Sequence, residues 1–566
     1  FNLHKKIKEA ARIVSKSVES TLTDKDGNLI TNLENKFEIW QQYLEKEFFH
    51  DIRPEEHKIT FDGSGLPIMV TEVQNAINKS KNRKAEGPDE LPTELLKTLT
   101  NSTCITRLTE LFNTIYDTGH IPNDWLQSTF VAIPKKPNAK ECNKYRTISL
   151  MSHTLKIFLK VIHARIYKKA EKHMSQEQFG FRNGLGTREA LFSIQIFVQR
   201  CRDINQKVYL CFIDFEKAFD KVRHEKLIEV LRKIGIDGKD LQFITNLYWH
   251  QQAKIRINNT LSNDFRIRRG VRHGCITSPI LFNIYSEEIM SEALEDTEEG
   301  ININGKVINN LRYADDTVLI AGSIEDLQKI LNKVTTASEN LGLNLNARKT
   351  KYMVIDKEQN PTNVLRLKNV PLEKVQKLTY LGQSLIDNWD HSHEIRCRIE
   401  KARAVFVKMK NIFCSHQLSM NLRIRMIRCY VFTVLLYGVE TWTQSKVSIN
   451  RIPAFEMWIY RRILKIIWCD HITNINVLER MNKELEIVKT IKSRKLQYLG
   501  HVMRHPEKYN LLQLIIQGKI VGKRSRGRPQ ISWLDNLRKW FNTSTISLFR
   551  TAINKDKITN MIANVR

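Results

Sequence analysis

Apolar positions recur at helical spacing early in the chain. In "NLENKFEIWQQYLEKEFF", Leu33, Phe37, Trp40 and Leu44 fall on one face and predict a helix. "RKAEGPDELPTELLKTL" reads as a Gly-Pro-Asp turn, then a helix that Pro92 opens at its first turn. "STFVAIPKKPNAKE", Ser128 to Glu141, is a short β-rich run closing in a proline-bounded basic loop. Residues 150–170 return to helical period. "KVYLCFIDFEKAFDKV" begins near Val208 as a strand apolar enough to be central and covered on both faces. A helix follows it, with Val222, Leu227, Val230 and Leu231 spaced toward a core. "ININGKVINNLRYADDTVLIAG" has the pattern of one hairpin, two strands turning at Asn304-Gly305. "GLNLNARKTKYMV" and "KLTYLGQSLI" read as further strands, and beyond about residue 390 the pattern is helical. Strands alternating with helices, then helices alone, predict an α+β core with a helical appendage.

At 566 residues the chain needs several cores, and its 42% apolar content suffices to build them. No internal repeat or low-complexity tract interrupts it. The longest apolar run, "VFTVLLYGV", is far shorter than the ~20 residues of a spanning helix, so no membrane span is expected. "FNLHKKIKEA" has no hydrophobic signal core and no initiating Met, which suggests a fragment or processed piece. Nine scattered cysteines without a C-x-x-C pair fit a reducing compartment. The net charge of +29 favours a polyanionic partner, nucleic acid first and anionic membrane second.

Against that basic background, "YADD" puts Asp315 and Asp316 side by side in a strand-like run. Burying a polar group without a partner costs roughly 2–7 kcal/mol, and adjacent carboxylates also repel. Neighbours on a regular strand face opposite ways, unless a turn bends the chain between them. A bound divalent cation would resolve the conflict in either case. Asp214, at the end of the apolar strand in "LCFIDFEKAFD", has the same setting. Two such strands side by side would bring Asp214 and Asp315 together as a two-metal site for in-line phosphoryl transfer. The plain alternative is an acidic turn at a strand end.

Taken in order, "RKAEGPDELPTELLK", "YRTISL", "EQFGFRNGLGT", "FIDFEKAFDKV", "RRGVRHGCITSPILFNIY", "YADD" and "KLTYLG" resemble the motifs of a reverse transcriptase of the non-LTR, LINE-type retrotransposons. "AFEMWIYRRILKIIW" and "LQYLGHVMR" through "GKRSRGRP" resemble the tail of insect-type endonuclease–reverse transcriptase elements, without the endonuclease part. The resemblance implies a right-hand polymerase fold: fingers, a palm with an antiparallel sheet, a helical thumb and a basic, mainly helical C-terminal region. The boundaries expected are 1–60 for a helical N-terminal extension, 61–390 for fingers and palm (core about 114–390), 391–485 for the thumb and 486–566 for the basic region.

The resemblance also implies roles. Asp214 and Asp315 would bind two Mg²⁺ ions, with Mn²⁺ as an alternative, helped by the carbonyl of Phe215; Asp316 would support them. Phe219 matches the ring that lies under the incoming sugar and selects dNTP over NTP. Lys135 or Lys136 and Arg146 match residues that hold the triphosphate. Gly270 and Gly274 let backbone approach nucleotide and template, and Ser278-Pro279 would start a helix. Lys349 lies where the family has a lysine near the leaving pyrophosphate, and Gly382 belongs to the primer-grip hairpin.

Two positions depart from the family pattern. His273 replaces a glutamine that contacts nucleotide and template, and Thr147 replaces a proline. The tail from Lys492 to Arg528 holds ten Lys/Arg and one acidic residue, with Tyr498 and Tyr509 interleaved as base-stacking candidates. Arg494, Lys495, Lys523, Arg524, Arg526 and Arg528 are its candidate nucleic-acid contacts. His501 and His505 have metal-ligand spacing, while Trp458 and Trp468 read as thumb core. The implied activity is RNA-directed DNA synthesis by target-primed reverse transcription, on an RNA template with a DNA primer from the target site and dNTP. Nuclear action after cytoplasmic assembly on its RNA goes with it. The alternative is a decayed or domesticated copy that binds nucleic acid without turnover, which His273 and Thr147 favour and the three aspartates oppose.

Overall fold

A computed structural model describes residues 22–23, 28–48, 53–57, 59–99, 103–136, 139–258, 260–356, 363–522 and 530–564. Its centre is a five-stranded sheet in the order Asn310–Tyr313, Asp316–Ala321, Val208–Ile213, Lys351–Ile355, Glu373–Lys374. The first four strands are antiparallel to their neighbours, and the last pairs in parallel. Val208–Ile213 is the middle strand, and all six of its residues are buried.

The period of two explains why this strand is apolar throughout. Tyr209, Cys211 and Ile213 face one core, with Leu319, Ala321, Tyr352 and Val354. Val208, Leu210 and Phe212 face the other, with Val318, Ile320, Met353 and Ile355. Each large side chain so covered contributes about 1.5–3 kcal/mol by leaving water. The first core is filled by the helices His153–His173, His224–Lys233, Gly238–Trp249, Ser278–Leu294 and Ile324–Asn340. The second is filled by helix Thr187–Asp203 and by the C-terminal helices Ile487–Arg504, Pro506–Gln517, Trp533–Phe541 and Thr545–Ile553.

A second mixed sheet runs Tyr145–Leu150, Gln127–Pro134, Gln252–Ile257, Thr260–Leu261. Helix Leu33–Phe48 covers it through Trp40, Leu44 and Phe48. Helices from Ser392–Lys408 onward form a further core around Phe406, Trp442 and Tyr460. No helix among the described residues is long and apolar enough to cross a membrane.

Three local expectations are corrected. The run from Ile301 to Ala321 makes two hairpins: Ile301–Ile303 with Lys306–Ile308 around Asn304-Gly305, then Asn310–Tyr313 with Asp316–Ala321. Helix Ser278–Leu294 is capped at Thr277, one residue earlier than expected. Trp458 packs on the helical core, whereas Trp468 is 90% exposed on a short turn after the helix Lys446–Ile463.

Candidate active site

The second hairpin turns in two residues, because Tyr313 pairs with Asp316 and leaves Ala314-Asp315 as the loop. Ala314 has φ 56°, the left-handed value that a right-twisted hairpin requires and that an alanine adopts only at a cost. The turn decides how the two aspartates face: Asp315 projects from the loop and Asp316 opens the returning strand. Thr317 pairs with Ile213, so the next rung sets Asp316 against Asp214.

Asp214 is fixed by its backbone. Its carbonyl accepts from the Asn346 amide at 2.8 Å, and its amide donates to the Thr350 hydroxyl at 3.3 Å. Phe215 bridges Leu345 on the same loop, with its ring buried. The Asp214 carboxylate stays free to point outward, and Lys349 meets it at 3.1 Å.

The electrostatics show three acids held together. Burial pushes the Asp316 carboxyl up to about 6, and the charges of Asp315 and Asp214 add to it. Asp316 is open to solvent on one side, so water screens part of this crowding. Asp315 is raised by burial and by Asp214, with His273 and Arg146 pulling the other way. Such a cluster lowers its energy by taking up a cation, and hard oxygen donors suit Mg²⁺ or Mn²⁺. Among the described residues no group of three or more His, Cys, Asp and Glu could hold a metal by itself.

Basic groups approach from the facing sheet. Arg146 is exposed on Tyr145–Leu150, and Lys136 is exposed after Gln127–Pro134. The Lys135 ammonium donates to the Asn143 carbonyl at 2.8 Å. Burial lowers its pKa, and repulsion from Lys217, Lys349 and Arg146 lowers it further. Lys135, Lys217, Lys349 and Arg146 thus lie close together, with Arg146 near Asp315 and Lys349 on Asp214.

Phe219 is half-buried and stacked on Phe282, with ring centroids 4.4 Å apart. The His273 ring lies beside it, with centroids 5.5 Å apart. The His273 Nε2 is 2.9 Å from the Asp220 carboxylate, a partner that sequence reading missed although it belongs to "FIDFEKAFD". This contact holds the His273 pKa above its usual value against burial. Gly274 has φ 95° and lies open beside the Ser149 carbonyl. Gly270 is corrected: a Cβ there would meet the Asp220 carbonyl oxygen at 2.8 Å, so it serves chain packing and not ligand approach. Thr147 pairs with Ala132 without disturbing the sheet.

The hairpin Lys377–Tyr380 with Gln383–Ile386 turns at Leu381-Gly382, both at positive φ. The Tyr380 hydroxyl donates to the Asp316 carbonyl at 3.4 Å, which ties this hairpin to the acidic cluster. Arg398 donates to the Gly382 carbonyl.

The two described C-terminal candidates do not converge on this site. Lys495 is corrected: it is fully buried, donates to the Trp442 carbonyl at 2.7 Å and to Asn536 Oδ1 at 3.2 Å, and lies near Trp533 and Trp540. It cannot reach nucleic acid from there. Tyr498 and Tyr509 are likewise buried and unavailable for stacking. Arg494 is partly exposed and faces the Leu436 carbonyl. His501 bonds the Tyr509 hydroxyl at 2.9 Å. Lys523, Arg524, Arg526 and Arg528 lie outside the described residues.

Residues 133–385 match the family described as reverse transcriptase (RNA-dependent DNA polymerase). The chain is 28% identical to a Pol polyprotein from the type-1 retrotransposable element R2 of Nasonia vitripennis, over 57% of this chain and 30% of that protein. It is 23% identical to the RNA-directed DNA polymerase from the mobile element jockey of Drosophila melanogaster, over 71% of this chain and 44% of that protein. The chain thus spans less than half the length of each of these relatives. A solved apo telomerase from Candida tropicalis aligns at 13% identity and TM-score 0.37, covering 87% of this chain and 88% of that one. That overlap is loose, and the fold assignment stands on the central sheet instead.

Proposed function

Residues 133–385 form a reverse transcriptase domain of the non-LTR retrotransposon type, and from that premise we propose that the chain is an RNA-directed DNA polymerase extending a primer 3′-OH on an RNA template. The observation that carries this reading is the acidic cluster of Asp214, Asp315 and Asp316 at the joined ends of two antiparallel strands. Asp214 and Asp315, with the Phe215 carbonyl, are the groups that would hold two Mg²⁺ or Mn²⁺ ions, whose charge when bound activates the primer hydroxyl and stabilises the leaving pyrophosphate.

The protein's own groups do the rest. Lys135, Lys136 and Arg146 hold the triphosphate against the acids. Lys349 neutralises Asp214 before the site is loaded and is then free to turn to the pyrophosphate. Phe219, backed by Phe282, sets a floor under the sugar that a 2′-OH would strike. His273, steered by Asp220, faces the nucleotide in place of the family's glutamine. In this reading residues 61–390 are fingers and palm, 391–485 the thumb, and 486–566 a C-terminal region whose basic stretch contacts nucleic acid. Target-primed synthesis, with primer from nicked chromosomal DNA, places the action in the nucleus after assembly on the element's RNA.

Primer extension on an RNA template with Mg²⁺ and dNTP tests the reading, with Asp315→Ala as control. Extension by wild type alone supports it. Equal extension by both contradicts the assigned site, and extension by neither leaves the alternative of a non-catalytic nucleic-acid-binding copy.

A further inference from the structure

Gln178, in "EQFGF", has no assigned role, yet its side chain touches the catalytic turn. It is fully buried. Its Oε1 accepts the Ala314 amide at 2.9 Å and the Gly180 amide at 2.8 Å. Both partners are N–H donors, so the oxygen must be the atom that faces them. Its Nε2 is buried without a partner among the described residues.

The surroundings leave this segment one position. Gln178 bridges Arg312 in parallel; Phe179 N–H donates to the Arg312 carbonyl and Arg312 N–H to the Glu177 carbonyl, each at 2.8 Å. A Cβ on Gly180 would lie 2.3 Å from the Ala314 nitrogen, so backbone is pressed on backbone there. Asn283 Nδ2 donates to the Gly180 carbonyl at 2.7 Å and holds the segment from behind. Arg312 is itself buried and paired with Glu287 at 2.9 Å. What this frame secures is a two-residue turn whose first member is an alanine at φ 56° and whose second is Asp315. A left-handed alanine persists only where neighbours over-determine it.

We propose that Gln178 is a positioning residue of the catalytic site: its carbonyl oxygen clamps the Ala314 amide and thereby fixes where Asp315 projects. The role belongs to the oxygen alone, since the amide nitrogen has no partner to lose. This rests on the polymerase reading for its effect on rate, but not for the clamp itself.

The test pairs Gln178→Met, which keeps the volume and removes the acceptor, with Gln178→Glu, which keeps the acceptor and removes the unpartnered nitrogen. Amide exchange is followed by mass spectrometry on peptides covering 311–317, with the strand Val208–Ile213 as internal reference. Steady-state extension kinetics are measured in parallel. In Q178M the turn peptides should exchange about tenfold faster while the reference strand stays protected. Its kcat should fall about 10- to 100-fold, the scale of a catalytic group displaced by a fraction of an ångström to one ångström, with KM for primer–template little changed. Q178E should restore the protection of the turn peptides; exchange is its readout, because its added charge beside the acids alters kcat independently.

Wild-type exchange and kcat in Q178M would overturn the proposal. So would equal loosening of the reference strand, which makes Gln178 a general core contact, and so would failure of Q178E to restore protection of the turn peptides. If wild type shows no extension, the polymerase reading fails, and the exchange data still decide the clamp.

Discussion

Asp315 and Asp316 are adjacent in sequence and unequal in place. One stands on a turn and the other at a strand end opposite Asp214. Asp316, raised from 3.8 to about 6 by burial and by its two acidic neighbours, binds a proton more readily folded than unfolded. A raised carboxyl opposes folding once ionised, so its cost is absent below about pH 4 and grows as pH rises through 6. Asp316→Asn should therefore melt above wild type at pH 7.5 without divalent metal, and the gap should close toward pH 4 in thermal scans. Mg²⁺ should narrow it at pH 7.5 by stabilising the ionised wild type. Phe219 carries a separate expectation. Phe219→Val leaves the Phe282 side of the pocket open, and the preference for dNTP over NTP should drop at least about tenfold in competing incorporation assays.

At the scale of elements, period and turn chemistry made much of the fold legible. The two-faced apolar strand, the helix at Leu33–Phe48 and the Asn304-Gly305 turn all follow from residue pattern. The turn carrying Asp315 was hidden because alanine is a poor marker for positive φ, and its support comes from Gln178, 136 residues away in sequence. Lys495 was misread for a different reason. Charge suggested a surface, but Ile487, Ile491, Lys495, Leu499 and Val502 share one helical face, and all five are buried. The spacing, had it outweighed the charge, would have placed this lysine inside. Lys495→Met should fold and melt within a few degrees of wild type, while Lys495→Asp should unfold the C-terminal helices, since a carboxylate there would face carbonyl oxygens. Lys495→Met should leave the salt slope of RNA binding unchanged, whereas loss of a phosphate contact would lower it.

Across the whole molecule, the C-terminal helices share a core with one face of the sheet whose strand ends carry the aspartates. Charge counting along the tail could not show this, because the apolar face of those helices is interleaved with the basic residues. His391 lies at a junction of three parts: it caps the helix Ser392–Lys408, and its neighbours include Arg202 and Lys495. Burial, then Lys495, depresses its pKa to about 4. A histidine kept neutral in the fold favours unfolding when protons are abundant, so its contribution is full above about pH 6.5 and is lost as pH falls toward 4. The loss amounts to roughly 2–4 kcal/mol. His391→Asn should flatten that acid limb in urea titrations at pH 4–7 and leave stability at pH 7.5 within about 1 kcal/mol.

The joint of sheet, acids and basic rim is claimed to be a working polymerase centre. Extension of a DNA primer on an RNA template, with dNTP and Mg²⁺, tests that claim most directly. Wild type should extend, and Asp315→Ala should lose at least about a hundredfold in rate while binding primer–template as well as wild type. Equal extension by the two proteins would contradict the account.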